Sequence, residues 1–399
     1  MAVDKITVTE FGSGINELRA RTEAAAKTAR ENAEAVDREA RFPDEAFATA
    51  RAQRLLGIMV PSELGGEGAN ISDVADICYT LGRACASTGM IYAMHQIMVA
   101  ILIRHAQSSP WHRNLLRRLL TEQLLIASST TEGQGGGDLR TSVCALEQIG
   151  TRVRFSRDAT VMSYGAQADA ILATARRSPD APPTDQVLLA LVKEDYQLAP
   201  SLGWQTLGMR GTCSSGFTID ATVGAEQVLP ETYASIQTYT MMPVAHLTWS
   251  AVWSGIAADA VERARRFIRT AARRAGGQMP PGAAHFTRAT MSLRALMVMV
   301  GAALQRFESN AGERAQLESL EFQNTMNLLK VNASETATAA VMNCLNACGL
   351  AGYRNDSEFS VSRHLRDILS SSLMINNDRI LATATTASLL AEVPASLRG

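Results

Sequence analysis

The stretch Thr131-Glu132-Gly133-Gln134-Gly135-Gly136-Gly137-Asp138 lies where a helical pattern of residues gives way to a pattern of strands. Its glycines leave backbone N–H groups exposed, so a loop of this composition can approach a phosphate closely. No Lys-Ser/Thr pair follows it and no helical pattern opens after it, which argues against both a P-loop and a dinucleotide-binding fingerprint. The stretch therefore predicts a loop at the junction of two structural units.

The residues before this loop predict a helical domain over residues 1–124. Apolar residues recur at helical spacing over residues 15–39 and again up to residue 103. The Phe42-Pro43-Asp44 segment ends one helix and caps the next, and Ser72 and Asp73 are candidate N-caps of a later one. Pro110 begins a further helix that ends near Glu122.

The residues after the loop predict strands. Short runs rich in Val, Ile and Thr, bounded by Gly, Pro, Asp and Ser, occur at residues 125–130, 152–157, 168–175, 186–193 and 216–221. No helical crossover of a dozen or more residues separates these runs. They therefore predict a mainly antiparallel β domain over residues 125–231.

From residue 232 to residue 399 the pattern is helical again. Apolar residues spaced by three and four predict long helices at residues 250–275, 285–311, 317–348 and 367–392, which is typical of a four-helix bundle. The expected fold class is α+β, with an N-terminal helical domain, a central antiparallel β domain and a C-terminal four-helix bundle.

Composition and charge exclude several classes of function. The chain has 38 Lys and Arg against 39 Asp and Glu and no long basic run, so nucleic-acid binding is not expected. The longest apolar stretch, residues 91–103, is shorter than the roughly 18 residues of a membrane span, so we expect a buried helix there. The first residues lack a secretory signal, which favours the cytoplasm. Six cysteines without a CxxC pair predict no metal site.

Residues 131–138 resemble the Thr-Glu-Pro-x-Ala-Gly-Ser-Asp segment of the acyl-CoA dehydrogenase family, flavoproteins with the same helical, β, helical order. Further segments resemble that family in the same order along the chain: Phe42-Pro43, Val60-Pro61-Ser62-Glu63-Leu64-Gly65-Gly66-Glu67-Gly68, Leu207-Gly208-Met209-Arg210-Gly211-Thr212, Gly349-Leu350-Ala351-Gly352-Tyr353 and Arg366-Asp367. The resemblance covers nearly the whole chain.

The resemblance implies a homodimer or homotetramer in which FAD lies between the β domain and the C-terminal bundle. By motif, Thr130 and Thr131 would contact the flavin ring, Gly137 would lie near the pyrophosphate and Ser163 would meet flavin N5. Further positions that match cofactor-binding motifs of the family are Arg273, Asn346, Gly349, Asn377 and Arg379. For the two asparagines the structural alternative is helix capping.

The resemblance fails at the catalytic base. Removal of the α-proton of an acyl thioester requires a base, usually a carboxylate whose pKa is raised by a dry pocket. In most of the family this Glu follows the Arg-Asp pair, where this chain has Ile375, and in a minority it lies on the first long helix after the β domain, where this chain has Ala245. Asp378 and His246 are candidates for a displaced base. Their structural alternatives are an ion pair for Asp378 and a backbone hydrogen bond for His246.

Three functions follow from these observations. The expected one is an FAD-dependent, acyl-CoA-dehydrogenase-like oxidoreductase that acts on the CH–CH group of an acyl thioester, with an electron-transfer protein as partner. The second is a flavin-dependent monooxygenase of the same fold, with a flavin reductase as partner. Such a monooxygenase needs no α-proton base, and the monooxygenases of this fold resemble this chain in having a serine at the position of Ser163. The third is a non-catalytic scaffold that binds FAD or acyl-CoA. Tyr92 and His95 match the acyl-pocket helix of the family and are the expected substrate contacts, with a satisfied core position as the alternative.

Overall fold

The computed structural model describes residues 8–132 and 140–390 and confirms the expected order of a helical domain, a β domain and a C-terminal set of helices. The N-terminal helices are α1 (Val8–Glu39), α2 (Asp44–Ala52), α3 (Ile71–Ala84), α4 (Ala86–His105) and α5 (Pro110–Glu122). The N-cap of α3 is Asn70, whose side chain accepts the Asp73 N–H at 2.9 Å, while the Asp73 carboxylate accepts the Asn70 N–H at 3.1 Å. Asp73 is therefore the third residue of a capping box, and Ser72 lies inside the helix.

Helix α4 is a core element, although its 20 residues are long and apolar enough to cross a membrane by length and composition. Within the described residues, 89% of its most apolar window is buried inside the protein. Cys85, with extended backbone (φ −152°, ψ 116°), separates α4 from α3. The apolar pattern that continues to residue 103 is therefore divided between two helices, and the second is the buried one that the sequence predicts.

The β domain consists of two four-stranded sheets, ordered β1-β4-β5-β8 and β2-β3-β7-β6. Only β1 and β4 pair in parallel among the strands described; the other pairs are antiparallel. The strands are β1 (Ile126–Ser129), β2 (Glu147–Ile149), β3 (Arg152–Ala159), β4 (Ala170–Arg176), β5 (Gln186–Val192), β6 (Tyr196–Leu202), β7 (Gly216–Gly224) and β8 (Val228–Thr232). The sequence missed β2, β6 and β8 because most of their residues are exposed or half-buried and form no apolar run.

The C-terminal region contains three long helices that pack together with the last helix of the described chain. Its elements are α6 (Tyr233–Ile236), a π-helical turn (Gln237–Met241), α7 (Met242–Arg274), α8 (Ala283–Ser309), α9 (Arg314–Leu317), α10 (Leu320–Cys348), α11 (Leu350–Tyr353), α12 (Ser362–Ile368) and α13 (Asn377–Leu390). The predicted start of the last helix at residue 367 was wrong. A 3₁₀ turn at Leu369–Ser372 and the left-handed backbone of Ile375 (φ +42°) delay the helix to Asn377.

Helix α7 approaches α3 closely because each helix has a glycine at the contact. A Cβ atom at Gly82 would lie 2.6 Å from the carbonyl oxygen of Val252, and one at Gly255 would lie 2.3 Å from that of Tyr79. Neither position therefore accommodates a larger residue without moving a helix. This contact fixes the longest helix of the bundle against the N-terminal domain, while other residues of α7 pack against α10.

Candidate active site

Two sequence motifs that lie far apart in the chain are in contact. A Cβ atom at Gly208 would lie 2.1 Å from the carbonyl oxygen of Arg366, so glycine is required for this approach. The N–H of Met209 donates to Oδ1 of Asp367 at 2.7 Å, and burial raises the pKa of Asp367 to about 6. The Arg366 guanidinium pairs with Asp37 on α1. Segments from all three domains are therefore joined here.

Three hydroxyl groups of the β domain form a chain that ends at Ser163. The Oγ atoms of Ser163 and Ser214 lie 2.8 Å apart, and Ser214 Oγ lies 2.8 Å from Thr212 Oγ1. The Thr212 hydroxyl donates to the carbonyl oxygen of Met209 at 2.8 Å. Because each hydroxyl has one proton, Ser214 then donates to Thr212 and Ser163 donates to Ser214. The oxygen of Ser163 is thereby left as an acceptor for a further hydrogen bond.

The threonines expected to contact a flavin ring lie just after β1. Thr130 and Thr131 are half-buried, and the Thr131 hydroxyl donates to the carbonyl oxygen of Val161 at 3.4 Å. The preceding Ser129 has a buried hydroxyl with no hydrogen-bond partner among the described residues. Gly137, expected near a pyrophosphate, lies outside the described residues. The described part of this motif thus presents one buried, unpartnered hydroxyl beside two threonines.

Glu132 connects the segment before the Gly-rich loop with the segment after it. Its buried carboxylate accepts the Ser142 hydroxyl at 2.5 Å and the Val143 N–H at 2.8 Å. The same carboxylate lies 3.1 Å from the guanidinium of Arg157, which is also buried and which donates to the Thr174 hydroxyl at 2.8 Å. The two ends of the loop are therefore held to strand β3 by a buried ion pair.

Ile375, at the usual position of the family's base, forms a backbone corner that is held by Lys330. The carbonyl oxygen of Ile375 accepts from Nζ of Lys330 at 3.0 Å, and the same ammonium donates to Oδ1 of Asn377 at 2.7 Å. Nδ2 of Asn377 donates to the Ser334 hydroxyl at 3.0 Å. Both ends of the Asn377 amide are thus used inside the protein, and its contact with a cofactor stays a prediction.

Ala245, at the second base position, is buried beside His246 on α7. Nδ1 of His246 donates to the carbonyl oxygen of Met326 at 3.0 Å, whereas Nε2 is buried without a partner among the described residues. Burial lowers the pKa of His246 to about 4, so the imidazole is neutral near pH 7 and Nε2 carries a lone pair. Nε2 can therefore accept a hydrogen bond from a ligand, while the lowered pKa makes the imidazole a weak base, and the role of His246 as a base stays a prediction.

The buried face of α7 that begins at His246 carries further polar atoms. Nε1 of Trp249, Oγ of Ser250 and Nε1 of Trp253 are buried and have no hydrogen-bond partner in the described part of the chain. Spacings of three, four and seven residues from His246 place them on one face of the helix. Since buried polar atoms are normally hydrogen-bonded, this face offers donors and an acceptor to a polar ligand.

Asp378, the other candidate base, lies in the first turn of α13 and is exposed. Its backbone N–H donates to the side-chain oxygen of Asn376 at 2.8 Å. Removal of an α-proton requires a base that faces a substrate pocket, whereas the Asp378 side chain is exposed. The structure of this chain therefore argues against Asp378 as the displaced base, because the corner at Ile375 places it at the surface.

Tyr92 and His95 are core residues of α4 in the structure. The Tyr92 hydroxyl donates to the carbonyl oxygen of Leu55 at 3.0 Å. Nε2 of His95 donates to the carbonyl oxygen of Leu56 at 2.9 Å, and Nδ1 accepts the N–H of Ile126 at 3.0 Å. Both side chains are fully buried, and their polar atoms have backbone partners. The structure therefore favours the core alternative over the substrate contact that we expected.

The remaining residues that match cofactor motifs are exposed in this chain: Arg273, Asn346, Gly349 and Arg379. Gly349 has φ +55° in the turn between α10 and α11, a conformation that favours glycine. The hydrogen bonds given above for Ser163 and Lys330 involve none of these four residues. Their cofactor roles stay predictions.

Sequence reasoning missed Lys330, Ser214 and Arg157, which form the principal contacts of the site. Lys330 is a single charged residue in an otherwise apolar part of a helical pattern, and this was the available signal. Ser163, which contacts Ser214, and Glu132 and Thr174, which contact Arg157, come from other segments of the chain, so no local pattern reports these contacts. Across residues 8–132 and 140–390, no group of three or more His, Cys, Asp or Glu side chains could hold a metal ion.

Two family models match the chain. The model of the acyl-CoA dehydrogenase N-terminal domain matches residues 16–123, and that of the acyl-CoA dehydrogenase C-terminal domain matches residues 237–380. The two matches flank the β domain and include both base positions, Ala245 and Ile375.

Several curated proteins are similar to the chain over long segments. A dibenzothiophene monooxygenase from Mycolicibacterium goodii is 27% identical over 280 residues, which cover 67% of this chain and 65% of that protein, slightly under two thirds of its length. The amino sugar nitrososynthase DnmZ from Streptomyces peucetius is 25% identical over 85% of this chain and 84% of its own length. A probable acyl-CoA dehydrogenase from Mycobacterium leprae is 24% identical over 94% of this chain and 95% of its own length.

Solved structures share the fold. The FMN-bound structure of TdsC, a dibenzothiophene monooxygenase from Paenibacillus sp. A11-2, superposes with a TM-score of 0.83 at 18% identity. The superposition covers 95% of this chain and 98% of that one. At this identity the likeness establishes the architecture alone.

Proposed function

The chain belongs to the acyl-CoA dehydrogenase family, and within that family we propose that it is a flavin-dependent monooxygenase rather than a dehydrogenase of acyl thioesters. The reaction we propose transfers one atom of O2 to a nucleophilic sulfur or nitrogen of a small molecule. The other oxygen atom leaves as water. Reduced flavin, when bound, supplies the two electrons that this stoichiometry requires.

The observation that carries the proposal is the chemistry at the two base positions. Ile375 has an aliphatic side chain, and its backbone carbonyl oxygen accepts a hydrogen bond from Lys330. Ala245 is a buried alanine. Neither can remove an α-proton, and the nearby carboxylate of Asp378 is exposed. Oxygen transfer to a heteroatom needs no α-proton base, so these substitutions are compatible with an oxygenase and are costly for a dehydrogenase.

The residues around Ser163 fit a reduced flavin. The hydroxyl chain through Ser214 and Thr212 leaves Ser163 as a hydrogen-bond acceptor, and N5 of a reduced flavin carries an N–H. The buried hydroxyl of Ser129, which has no partner among the residues that the structure describes, is a further group that such a ligand would satisfy. Both FMN and FAD are compatible with these contacts. The FMN in the TdsC structure supports testing FMN beside the FAD that the sequence led us to expect.

Two of the relatives support the choice of a heteroatom substrate. By their names, one is a dibenzothiophene monooxygenase and another is an amino sugar nitrososynthase. These names support sulfur or nitrogen as the atom that receives oxygen. In this chain Nε2 of His246 would accept a hydrogen bond from the N–H of a nitrogen substrate, because it is unpartnered among the described residues and its imidazole is neutral. The indole N–H groups of Trp249 and Trp253 would orient the substrate.

The proposal is tested with the full-length protein, an added flavin reductase with NADH, and either FMN or FAD under ¹⁸O2. The probe substrates are dibenzothiophene, indole and a dTDP-linked amino sugar, and mass spectrometry measures ¹⁸O in the products. We expect one ¹⁸O atom per product molecule. A second arm mixes the protein and oxidised flavin with a panel of acyl-CoAs without O2. Loss of the oxidised-flavin absorbance in that arm would show a dehydrogenase and overturn the proposal, as would the absence of reaction in both arms.

A further inference from the structure

Lys330 is a buried cation at the centre of α10. The chain has only four lysines, and arginine provides its other Lys and Arg positions. The side chain of Lys330 is fully buried. Its ammonium donates to the carbonyl oxygen of Ile375 at 3.0 Å and to Oδ1 of Asn377 at 2.7 Å. The face of the Trp253 ring lies beside it, 5.8 Å from Nζ to the ring centroid.

The ammonium has no carboxylate partner in the described part of the chain, where none of the salt bridges includes it. On α7 the ionisable neighbour is His246, and the charge of Lys330 contributes to the lowered pKa of that imidazole. On α13 the charged residues that follow Asn377 are Asp378 and Arg379, and both are exposed. The charge of Lys330 is therefore stabilised mainly by a carbonyl, an amide oxygen and an aromatic face.

The contact with Ile375 matters because the backbone there is unfavourable. Ile375 has φ +42°, a left-handed conformation that a β-branched residue rarely adopts. Such conformations persist when surrounding groups hold them, and they concentrate at functional sites. The hydrogen bond from Lys330 to the Ile375 carbonyl is the charged contact that holds this corner, beside the hydrogen bonds of Asn377. The corner lies at the position where other members of the family carry their base.

We propose that Lys330 is a positioning residue of the active site: its charged ammonium holds the corner formed by Ile375, Asn376 and Asn377, against which the flavin and its substrate are placed. The inference rests on the proposed function for the identity of the ligands. Lys330 acts through the corner and does not itself contact the reacting atoms. Loss of its charge loosens the corner and weakens flavin binding.

The state of Lys330 changes within an accessible pH range. Burial lowers its pKa to about 8, so the ammonium is charged at pH 7 and becomes a neutral amine as the pH rises above 8. A neutral amine is a weaker donor to the Ile375 and Asn377 oxygens than an ammonium. The affinity for flavin should therefore have an alkaline limb that begins near pH 8.

The experiment is an anaerobic calorimetric titration of the full-length protein with reduced FMN between pH 6.5 and 9.5. The variants are K330M, which removes the charge, and N377D, which places a carboxylate of nearly the same shape against it. The matched control is K27M, which removes an exposed lysine on α1. The free energy of unfolding of each variant is measured in parallel by urea denaturation, so that a folding defect is recognised.

For the wild type and K27M we expect the affinity to fall about tenfold between pH 7 and pH 9.5, the loss expected for one weakened charge-assisted hydrogen bond. In K330M the affinity should be about tenfold lower at pH 7 and independent of pH over the same range. In N377D the nearby carboxylate raises the pKa of Lys330 and should move the limb upward by at least one pH unit. If K330M does not fold, N377D alone decides.

An alkaline limb in N377D at the wild-type pH, or wild-type affinity and pH dependence in K330M, would overturn the inference. The titration does not depend on turnover, so its result is separable from that of the oxygenation assay. If the fall in flavin affinity moves to higher pH in N377D but no oxygenated product forms, the role of Lys330 is supported and the proposed function is not. If an oxygenated product forms but the fall in flavin affinity stays at the wild-type pH in N377D, the proposed function is supported and the role of Lys330 is not.

Discussion

The N–H of Ile126, the first residue of β1, donates to Nδ1 of His95 on α4 at 3.0 Å. Nε2 of the same ring donates to the carbonyl oxygen of Leu56 at 2.9 Å. Burial lowers the pKa of His95 to about 4, so one neutral imidazole with a fixed tautomer connects the N-terminal helices to the β domain. The side chain expected to contact a substrate instead holds two domains together.

We expect His95→Ala to destabilise the protein by about 3–5 kcal/mol, because it leaves a buried N–H and a buried carbonyl without partners and opens a cavity. Urea denaturation followed by circular dichroism measures the change. The control is His285→Ala on α8, where the half-buried ring contacts the Asn343 side chain at 3.2 Å, and there we expect less than about 1 kcal/mol. Equal effects of the two substitutions would contradict the domain-connecting role.

Glu132→Gln should destabilise the protein by about 3–5 kcal/mol, because it leaves the buried Arg157 guanidinium without a counter-charge. The double variant Glu132→Gln with Arg157→Met removes both charges and should be more stable than the single variant. A double-mutant cycle of unfolding free energies measures the coupling. Additive effects, with no coupling energy, would show that the two groups do not interact.

The protein should lose stability as the pH falls from 6.5 towards 4. Burial lowers the pKa of five histidines, which are His95, His105, His112, His246 and His364. At each of these histidines the unfolded chain binds more protons than the folded protein in this interval, so their contribution to stability is complete above pH 6.5 and is lost as the pH falls towards the lowered pKa, which is about 4 for His95 and His246. The raised pKa of Asp367 opposes this loss, but it is one group against five. For His246 alone the shift to about 4 corresponds to roughly 3 kcal/mol.

Urea denaturation at several pH values tests this dependence. The matched variant is His246→Asn, which keeps a donor towards the Met326 carbonyl but cannot titrate. Its unfolding free energy should fall less steeply between pH 6.5 and pH 4 than that of the wild type. Parallel curves for the two proteins would mean that His246 is not buried and neutral as described.

Much of the fold could be predicted from sequence because it depends on local patterns. Helix α5 begins at Pro110 and ends at Glu122 as predicted, since a proline and an apolar periodicity are both visible in the sequence. Strand β2 could not be found, because its three residues are exposed and its pairing with β3 is a tertiary contact. The last helix was placed too early because residues 367–375 are apolar enough to continue a helical pattern, whereas Ile375 has a left-handed backbone.

The candidate site was less predictable than the fold because most of its contacts join segments that are distant in the chain. Counting along the chain places Ile375 and Ala245 at the base positions, which is information that the sequence contains. The exposure of Asp378 and the hydrogen bonds of His95 depend on how distant segments pack, and no spacing reports them. Lys330 illustrates the limit, since its partners Ile375 and Asn377 lie more than forty residues further along the chain.

Ile375→Gly should be more stable than Ile375→Ala by about 1 kcal/mol. Both variants lose the packing of the isoleucine side chain, and they differ by one Cβ atom at a residue with φ +42°. The left-handed conformation is unfavourable for alanine and acceptable for glycine. The control is Ala337→Gly in the middle of α10, where the wild-type alanine should be more stable than glycine, the opposite order. Thermal and urea unfolding of the three variants and the wild type measure both differences.

The hydroxyl chain predicts which redox state of a flavin the site prefers. Ser163 gives its proton to Ser214, so its oxygen accepts from the N5–H of a reduced flavin and has no proton for the N5 of an oxidised one. Removing Ser214 as an acceptor with Ser214→Ala frees the Ser163 proton. The variant should therefore bind oxidised flavin more tightly relative to reduced flavin than the wild type does.

This preference is a thermodynamic quantity and needs no turnover. A tenfold change in the ratio of the two affinities corresponds to about 30 mV in the two-electron midpoint potential of bound flavin. We expect the potential in Ser214→Ala to be lower than in the wild type by about that amount, measured by anaerobic dye-coupled reduction. Ser215→Ala is the control, because the neighbouring residue is connected through its backbone to Met162 and Cys213. An unchanged potential in Ser214→Ala would show that the direction of the hydroxyl chain does not determine the preference for reduced flavin. The residues at the two base positions, Ile375 and Ala245, would then be the remaining support for a reduced-flavin oxygenase.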